Sequence, residues 1–286
     1  MKISLSVTSY SWPPGTSLPG ALRDVARRAE DAGADTLWVA DHLLQMDPHA
    51  RPDEPMLEGY TTLGFLAAAT DRMRLGTMVT WASVRPPALL VKAVTTLDVL
   101  SGGRAWLGIG AGYRGDEAAM MGLPFPDTAT RFAHVEDAVV LARRMWAGDE
   151  APFPAHGRPL ERPIGSPRPV SDPRPGILIG GMGETRTLPL VARYADACNL
   201  FDIPDGGATI RRKLDVLARA CAAIDRPVGE VEVTVSTRLD AGEGAAELAG
   251  RCDALAGLGV GHAVLVSNGP WTTDLIGAVG AVAADR

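Results

Sequence analysis

Three short stretches carry residue types and spacings that can do chemistry. Asp41-His42 sets a carboxylate beside an imidazole, which it can orient or whose pKa it can raise, and that ring titrates near neutrality and can donate or accept a proton during catalysis. Gly108-Ile-Gly-Ala-Gly112 offers backbone without side chains, which lets a planar ligand approach closely. Gly180-Gly-Met-Gly-Glu-Thr-Arg186 runs straight into a helical stretch, Thr187–Tyr194. Glycines before a helix N-terminus expose N–H groups and the helix dipole adds partial positive charge, so phosphate is the natural ligand, with Arg186 as a partner. Each stretch also has a plainer reading. Asp41 would cap a turn beside an ordinary loop histidine, the second glycine run would relieve a tight strand-to-helix bend, and the third would be a simple loop in which Glu184 complements the dipole.

The elements around these stretches alternate strand and helix eight times. Strands are expected at Lys2–Ser9, Asp35–Ala40, Met73–Thr80, Arg104–Gly110, Gly176–Ile179, Asp196–Phe201, Val231–Leu239 and His262–Val266. Helices are expected at Leu18–Ala32, Gly59–Thr70, Pro86–Leu100, Asp116–Met121, Arg131–Ala147, Glu184–Tyr194, Ala208–Ile224, Ala245–Leu258 and Trp271–Ala284. Strict alternation implies parallel strands with right-handed crossovers, and eight units favour a closed barrel over an open sheet. The fold class is therefore α/β, a (β/α)8 TIM barrel with loop insertions, read as one domain over 1–286. All three chemical stretches follow strands, so the barrel brings them to one face. The third is unusual for the fold at large, which more often places phosphate after strands seven and eight. Ala151–Pro175 holds eight prolines in 25 residues and reads as an extended surface excursion.

Composition narrows the function classes. A 286-residue chain with 46% hydrophobic and 22% charged residues is a globular composition, and a net charge of −6 argues against broad nucleic-acid binding. The apolar run Ile3–Val7 is too short for a signal peptide or membrane span, and three scattered cysteines fit reduced thiols, so a cytoplasmic location is expected. The five histidines show no metal-ligand spacing, no G-x-S-x-G elbow is present, and neither Lys92 nor Lys213 is placed for a barrel Schiff base. A held organic cofactor is left to supply reactivity, with no metal expected.

In order, Leu37-Trp-Val-Ala-Asp-His-Leu43, Arg74-Leu-Gly-Thr-Met-Val79, Leu100-Ser-Gly-Gly-Arg104, Leu107-Gly-Ile-Gly-Ala-Gly-Tyr113, Glu117, Arg131, Ile179-Gly-Gly-Met-Gly-Glu184 and Ala192-Arg-Tyr-Ala-Asp196 with Asn199 resemble the bacterial luciferase-like superfamily. Within it they are similar to the deazaflavin (coenzyme F420)-dependent oxidoreductases, closely over roughly 1–205 and in architecture beyond. The resemblance implies that His42 lies beside the reactive ring carbon, preceded by Asp41, as acid, base or charge stabiliser. It implies a non-proline cis peptide at Met78-Val79 behind the cofactor ring, Ala111 and Gly112 under it, and Gly180, Gly181, Met182 and Gly183 around the cofactor phosphate. Family members that oxidise sugar phosphates carry a glutamate where this chain has Tyr113, which puts that substrate in doubt. Tyr113 and Trp81 are the candidate substrate contacts, Tyr113 by a hydrogen bond or by packing alone.

The expectation is hydride transfer between reduced coenzyme F420 and a small organic substrate, with His42 handling the proton. An FMN-dependent monooxygenase using reduced flavin and O2 is the alternative within the superfamily, and a non-catalytic flavin or deazaflavin carrier or sensor the alternative outside it. Arg85, Arg114 and Arg186 either meet the acidic tail of the deazaflavin or are solvated surface charges. Substrate choice is expected in Gln45–Glu58, Trp81–Arg85 and Ala151–Pro175, and the resemblance suggests a homodimer, although no surface stripe marks one.

Overall fold

The computed structural model describes residues 1–48, 50–157, 159–239 and 242–284. Its strands are β1 (Lys2–Val7), β2 (Thr36–Val39), β3 (Arg74–Thr77), β4 (Thr80–Trp81), β5 (Ala105–Gly110), β6 (Gly176–Gly180), β7 (Ala197–Phe201), β8 (Glu232–Arg238) and β9 (His262–Val266). All pair in parallel, and the ladder closes through Lys2↔His262 between β1 and β9 and Leu75↔Ala105 between β3 and β5. β3 and β4 are two halves of the third strand, so the described residues form a closed eight-stranded (β/α)8 barrel.

The break in the third strand is a bulge. Leu75 and Gly76 pair with Ala105 and Trp106, yet Thr80 and Trp81 pair with Ile109 and Gly110, so the register slips by one residue across Met78-Val79. That bond is the expected non-proline cis peptide. Sequence periodicity gave one unbroken strand here, because neither a bulge nor a peptide isomer alters which residues are apolar.

Alternation along the strands sorts the core. Ile3, Leu5 and Val7 face the helices, whereas Ser4 and Ser6 point into the barrel beside a central cluster of Trp38, Trp106, Leu178, Ala197 and Val264. The two indoles need small neighbours. A Cβ on Gly76 would lie 2.7 Å from Trp38, and one on Gly176 2.6 Å from Trp106, so glycine there makes room for tryptophan.

The helices include α1 (Leu18–Asp31), α2 (Gly59–Ala67), α3 (Pro87–Ser101), α4 (Gly115–Met121), α5 (Thr128–Ala147), α6 (Thr187–Tyr194), α7 (Ala208–Ala222), α8 (Ala245–Gly257) and α9 (Thr273–Ala284). Two start three residues away from expectation. α5 begins a turn early because the Asp127 side chain accepts from the Thr130 amide at 2.9 Å, a working N-cap. α6 begins three residues late, and Glu184 turns instead to Lys213 (2.6 Å) and Arg212 (3.2 Å) on α7. No helix among the described residues is long and apolar enough to cross a membrane.

The Pro-rich excursion joins α5 to β6 and is therefore an entrance to a strand, not an exit. It packs at the N-terminal end of the barrel. Buried Asp98 accepts from the Val170 and Ser171 amides at 2.8 and 3.0 Å, and Arg174 forks onto Asp196 at 2.7 and 2.9 Å. Nearby, Arg104 holds the carbonyls of Ala67, Thr70 and Met73 at 2.8–3.0 Å, which ties the end of α2 to β5.

Candidate active site

The strands' C-terminal ends open into a cavity of about 620 Å3, within the range of small-molecule sites. Asp41, His42, Met78, Val79, Trp81, Ala111, Gly112, Tyr113, Gly180 and Gly181 all line it, although they come from four separate chain segments. Met182 and Gly183 are not among the lining residues. Met182 sulfur accepts from the Phe201 amide at 3.3 Å, and Gly183 packs on Thr187, where a Cβ would come within 2.8 Å of the hydroxyl.

His42 is held by a partner other than the expected one. Its Nδ1 lies 2.7 Å from Glu117 Oε2, and Glu117 Oε1 accepts from the amides of Leu43 (2.6 Å) and Leu44 (3.2 Å). Glu117 comes from α4 and its side chain is fully buried. Burial pushes its carboxyl upward, but the bonds from His42 and the two amides outweigh burial and hold it below the usual carboxylate range. A carboxylate can only accept, so the ring proton sits on Nδ1 and Nε2 is left with the lone pair.

Asp41 does not bond the imidazole, which corrects the expectation that it orients the ring. Its carboxylate takes a fork from Arg85 at 2.6 and 2.9 Å and the Trp81 amide at 3.0 Å. Arg85 also reaches Glu58 at 2.6 Å, and its side chain is only 14% exposed. Arg85 is therefore neither a solvated surface charge nor a cation free to meet an acidic ligand. With Asp41 it fixes the β2 and β4 exits against each other. Arg114 is forked onto Asp116 at 2.9 and 2.7 Å, and Arg186 stacks over Phe132 at 5.7 Å.

The glycine run on β5 serves the bulge. A Cβ on Gly108 would fall 1.9 Å from the Thr77 carbonyl, and one on Gly110 2.7 Å from Val79. Gly180 meets the same valine at 2.8 Å, so Val79 is wedged between two glycines as part of the cavity floor. Gly112, at φ +72°, lies against the Trp81 indole, where a Cβ would approach to 2.3 Å. Tyr113, 72% exposed, stands edge-on to His42 with ring centroids 6.0 Å apart.

Several lining residues were not assigned to the site from sequence. Ser6 lies on β1 and Thr8 just beyond it, Asn199 lies on β7 and enters the sequence reading only as part of the resemblance, and Ser236 and Arg238 lie at the end of β8. Asn199 joins Thr234 and Ser236 at 2.9 and 3.1 Å, forming a polar wall opposite the apolar floor. The signal was present as polar residues at every second position of Thr234-Val-Ser-Thr-Arg238 and Ser4-Leu-Ser6, inward positions in a barrel. Among the described residues, Ala151–Pro175 contributes none to the cavity lining, against expectation, because helix-to-strand connections lie at the opposite end.

A family model for luciferase-like monooxygenases matches residues 1–269. The chain belongs to the luciferase-like monooxygenase family. A curated relative, the F420-dependent glucose-6-phosphate dehydrogenase of Kineococcus radiotolerans, is 31% identical over 230 residues, covering 80% of this chain and 66% of the relative. The family member described here thus spans slightly under two thirds of that relative's length. Among solved structures, an F420-dependent secondary alcohol dehydrogenase in complex with an F420-acetone adduct superposes with a TM-score of 0.82 at 17% identity, covering 99% of this chain and 98% of the other. The monooxygenase RslO1 from Streptomyces bottropensis superposes at 0.80 and 17%, covering 99% and 97%. At such identities the two structures share the fold alone.

Proposed function

We propose that this luciferase-like protein is an oxidoreductase that uses coenzyme F420 to exchange a hydride with a small organic substrate in the cytoplasm. The observation that carries the reading is the His42–Glu117 pair set over a cavity floored by the Met78-Val79 bulge. Curated relatives named as F420-dependent enzymes favour the deazaflavin over FMN.

The residues present fit such a group. The cavity has an apolar floor of Met78 and Val79 and a polar wall of Ser6, Asn199 and Ser236, suited to a flat ring with hydrogen-bonding edges. The buried Trp81 Nε1–H has no protein partner and stands in that cavity's wall. Gly181 and Thr187 line the cavity where α6 begins, so the cofactor phosphate is assigned to them and to the positive end of that helix. Gly183 acts behind them by letting Thr187 approach.

When bound, the deazaflavin supplies a two-electron hydride acceptor or donor. The protein supplies position and a proton path. His42 Nε2 accepts the hydroxyl proton when an alcohol is oxidised, and the same nitrogen returns it when a carbonyl is reduced. Glu117 keeps that nitrogen aimed into the cavity and its charge compensates the positive charge that the ring gains. The bulge and Trp81 keep water from the floor.

Parallel fluorescence titrations with F420 and FMN test the cofactor assignment. F420 is expected to bind at least 10-fold more tightly, and preference for FMN would reverse it. His42→Ala is expected to lower kcat by about 10²–10⁴-fold while leaving the F420 Kd within about threefold. A variant with full turnover would remove His42 from the mechanism.

A further inference from the structure

The placement of charge around the cavity narrows the substrate. We infer that the compound oxidised or reduced beside His42 is an uncharged, mainly apolar alcohol or carbonyl compound and not a sugar phosphate. This inference rests on the hydride-transfer reading and names the substrate class of that same site.

Among the described residues, the cations lining the cavity are Arg114, Arg131 and Arg238. Two already have a carboxylate. Arg114 is forked onto Asp116, and Arg238 reaches across the mouth to Asp47 at 2.8 Å while also meeting Asn268 at 3.0 Å. Arg85, close behind, is shared between Asp41 and Glu58. The cations that reach the cavity from the β5 and β8 exits, and the one behind β4, are thus all paired with carboxylates, and Asp202 adds a further carboxylate to the lining.

Arg131 differs from them. Its hydrogen bonds go to the Pro126 carbonyl (2.9 Å) and the Thr128 hydroxyl (3.2 Å), neither of them anionic, and its buried Nε has no partner. Its guanidinium is instead covered by Phe125, whose ring lies 4.2 Å below it, and the nearby Asp127 carboxylate feels its charge. Each cation of the lining is therefore paired with, covered by or set beside a group of this chain. A phosphate dianion arriving at the His42 side would have to displace a carboxylate from an existing pair, at a cost in charge–charge energy that nothing there returns. Met46, Met56, Trp81, Tyr113 and Val266 offer that side apolar surface instead.

The reaction for such a substrate balances simply. A carbonyl carbon gains a hydride, for which bound reduced deazaflavin would be the two-electron donor, the C=O π bond breaks, and the oxygen takes a proton that His42 Nε2 has first drawn from solvent. The reverse oxidises the secondary alcohol, with the hydroxyl proton passing to His42.

Calorimetric titration of the F420-saturated protein with cyclohexanone and with glucose 6-phosphate tests the inference without relying on turnover. Cyclohexanone is expected to saturate, and glucose 6-phosphate to bind at least 10-fold more weakly. Asp47→Asn strips Arg238 of its carboxylate and is expected to improve glucose 6-phosphate binding by about 10-fold. Equal or tighter binding of glucose 6-phosphate by the parent, no saturation by the ketone, or no gain in Asp47→Asn would each overturn the inference. The cofactor reading fails separately. If F420 does not bind, the ketone titration of the protein alone still decides whether the cavity takes a neutral substrate.

Discussion

At the scale of single residues, the chemistry turns on which atom of His42 holds the proton. Both oxygens of Glu117 accept hydrogen bonds, one from the imidazole and one from two backbone amides. An amide in its place has only one accepting oxygen, so Glu117→Gln must set its NH2 group against either the ring N–H or the Leu43 and Leu44 N–H groups. Turning the NH2 to the ring forces the opposite tautomer and removes the lone pair from the cavity. Glu117→Gln is therefore expected to lower kcat on the order of 10²-fold and alter its pH profile, with F420 binding retained. Steady-state kinetics across pH beside a cofactor titration would check this. A variant that loses kcat but keeps the parent's pH profile would reduce Glu117 to a packing role. His42 was legible in the sequence as a titratable residue just beyond a strand. Its partner was not, because Glu117 lies 75 positions away and only the folded chain brings α4 over the β2 exit. The adjacent Asp41 looked the better partner on spacing, but neighbours in sequence at a strand's end point in different directions.

At the scale of elements, the third strand explains more of the sequence than its own residues do. Val79 fills space that a side chain at position 110 or 180 would occupy, so the glycines on β5 and β6 follow from the bulge. Gly110→Ala is expected to destabilise the fold by about 1–3 kcal/mol, the usual range for overpacking. Val79→Ala in the same chain is expected to recover most of that loss. Urea unfolding of the two single variants and the double variant would measure the coupling, and simple additivity would show that the clash is relieved elsewhere. Gly112→Ala faces both a positive φ and the Trp81 indole, and is expected to impair cofactor binding as well as stability. The sequence showed that these glycines were needed at strand ends. It could not show that protein rather than ligand fills the space before them, since that depends on a register slip invisible to periodicity.

At the scale of the whole molecule, the two ends of the barrel do different work, and the base is a network of charge. His262 lies between Ser4 at 2.5 Å and Glu232 at 2.9 Å, and Lys2 reaches the same carboxylate at 3.0 Å. The bond from His262, helped by Lys2, depresses the Glu232 carboxyl to about 2. A group with a depressed folded pKa stabilises above its unfolded value, and that contribution disappears as pH falls toward the folded one. Glu232→Gln is thus expected to cost on the order of 2 kcal/mol at neutral pH, with the gap narrowing below about pH 4 and closing only as pH falls through about 2. Acid titration of thermal stability would read this, and a constant gap down to pH 2 would remove the charge from the account. The eightfold alternation made the barrel legible from sequence, whereas the base network was not, since its members look like isolated polar residues inside strands. The closure of the barrel has a consequence for synthesis of the chain. β1 can pair with β2 early, but its other edge meets β9 only after His262 and its neighbours have been made. At roughly 5–20 residues per second, that edge waits tens of seconds on the ribosome. The nascent first strand is then the segment most exposed to mispairing, and the one a holding chaperone would have most reason to cover.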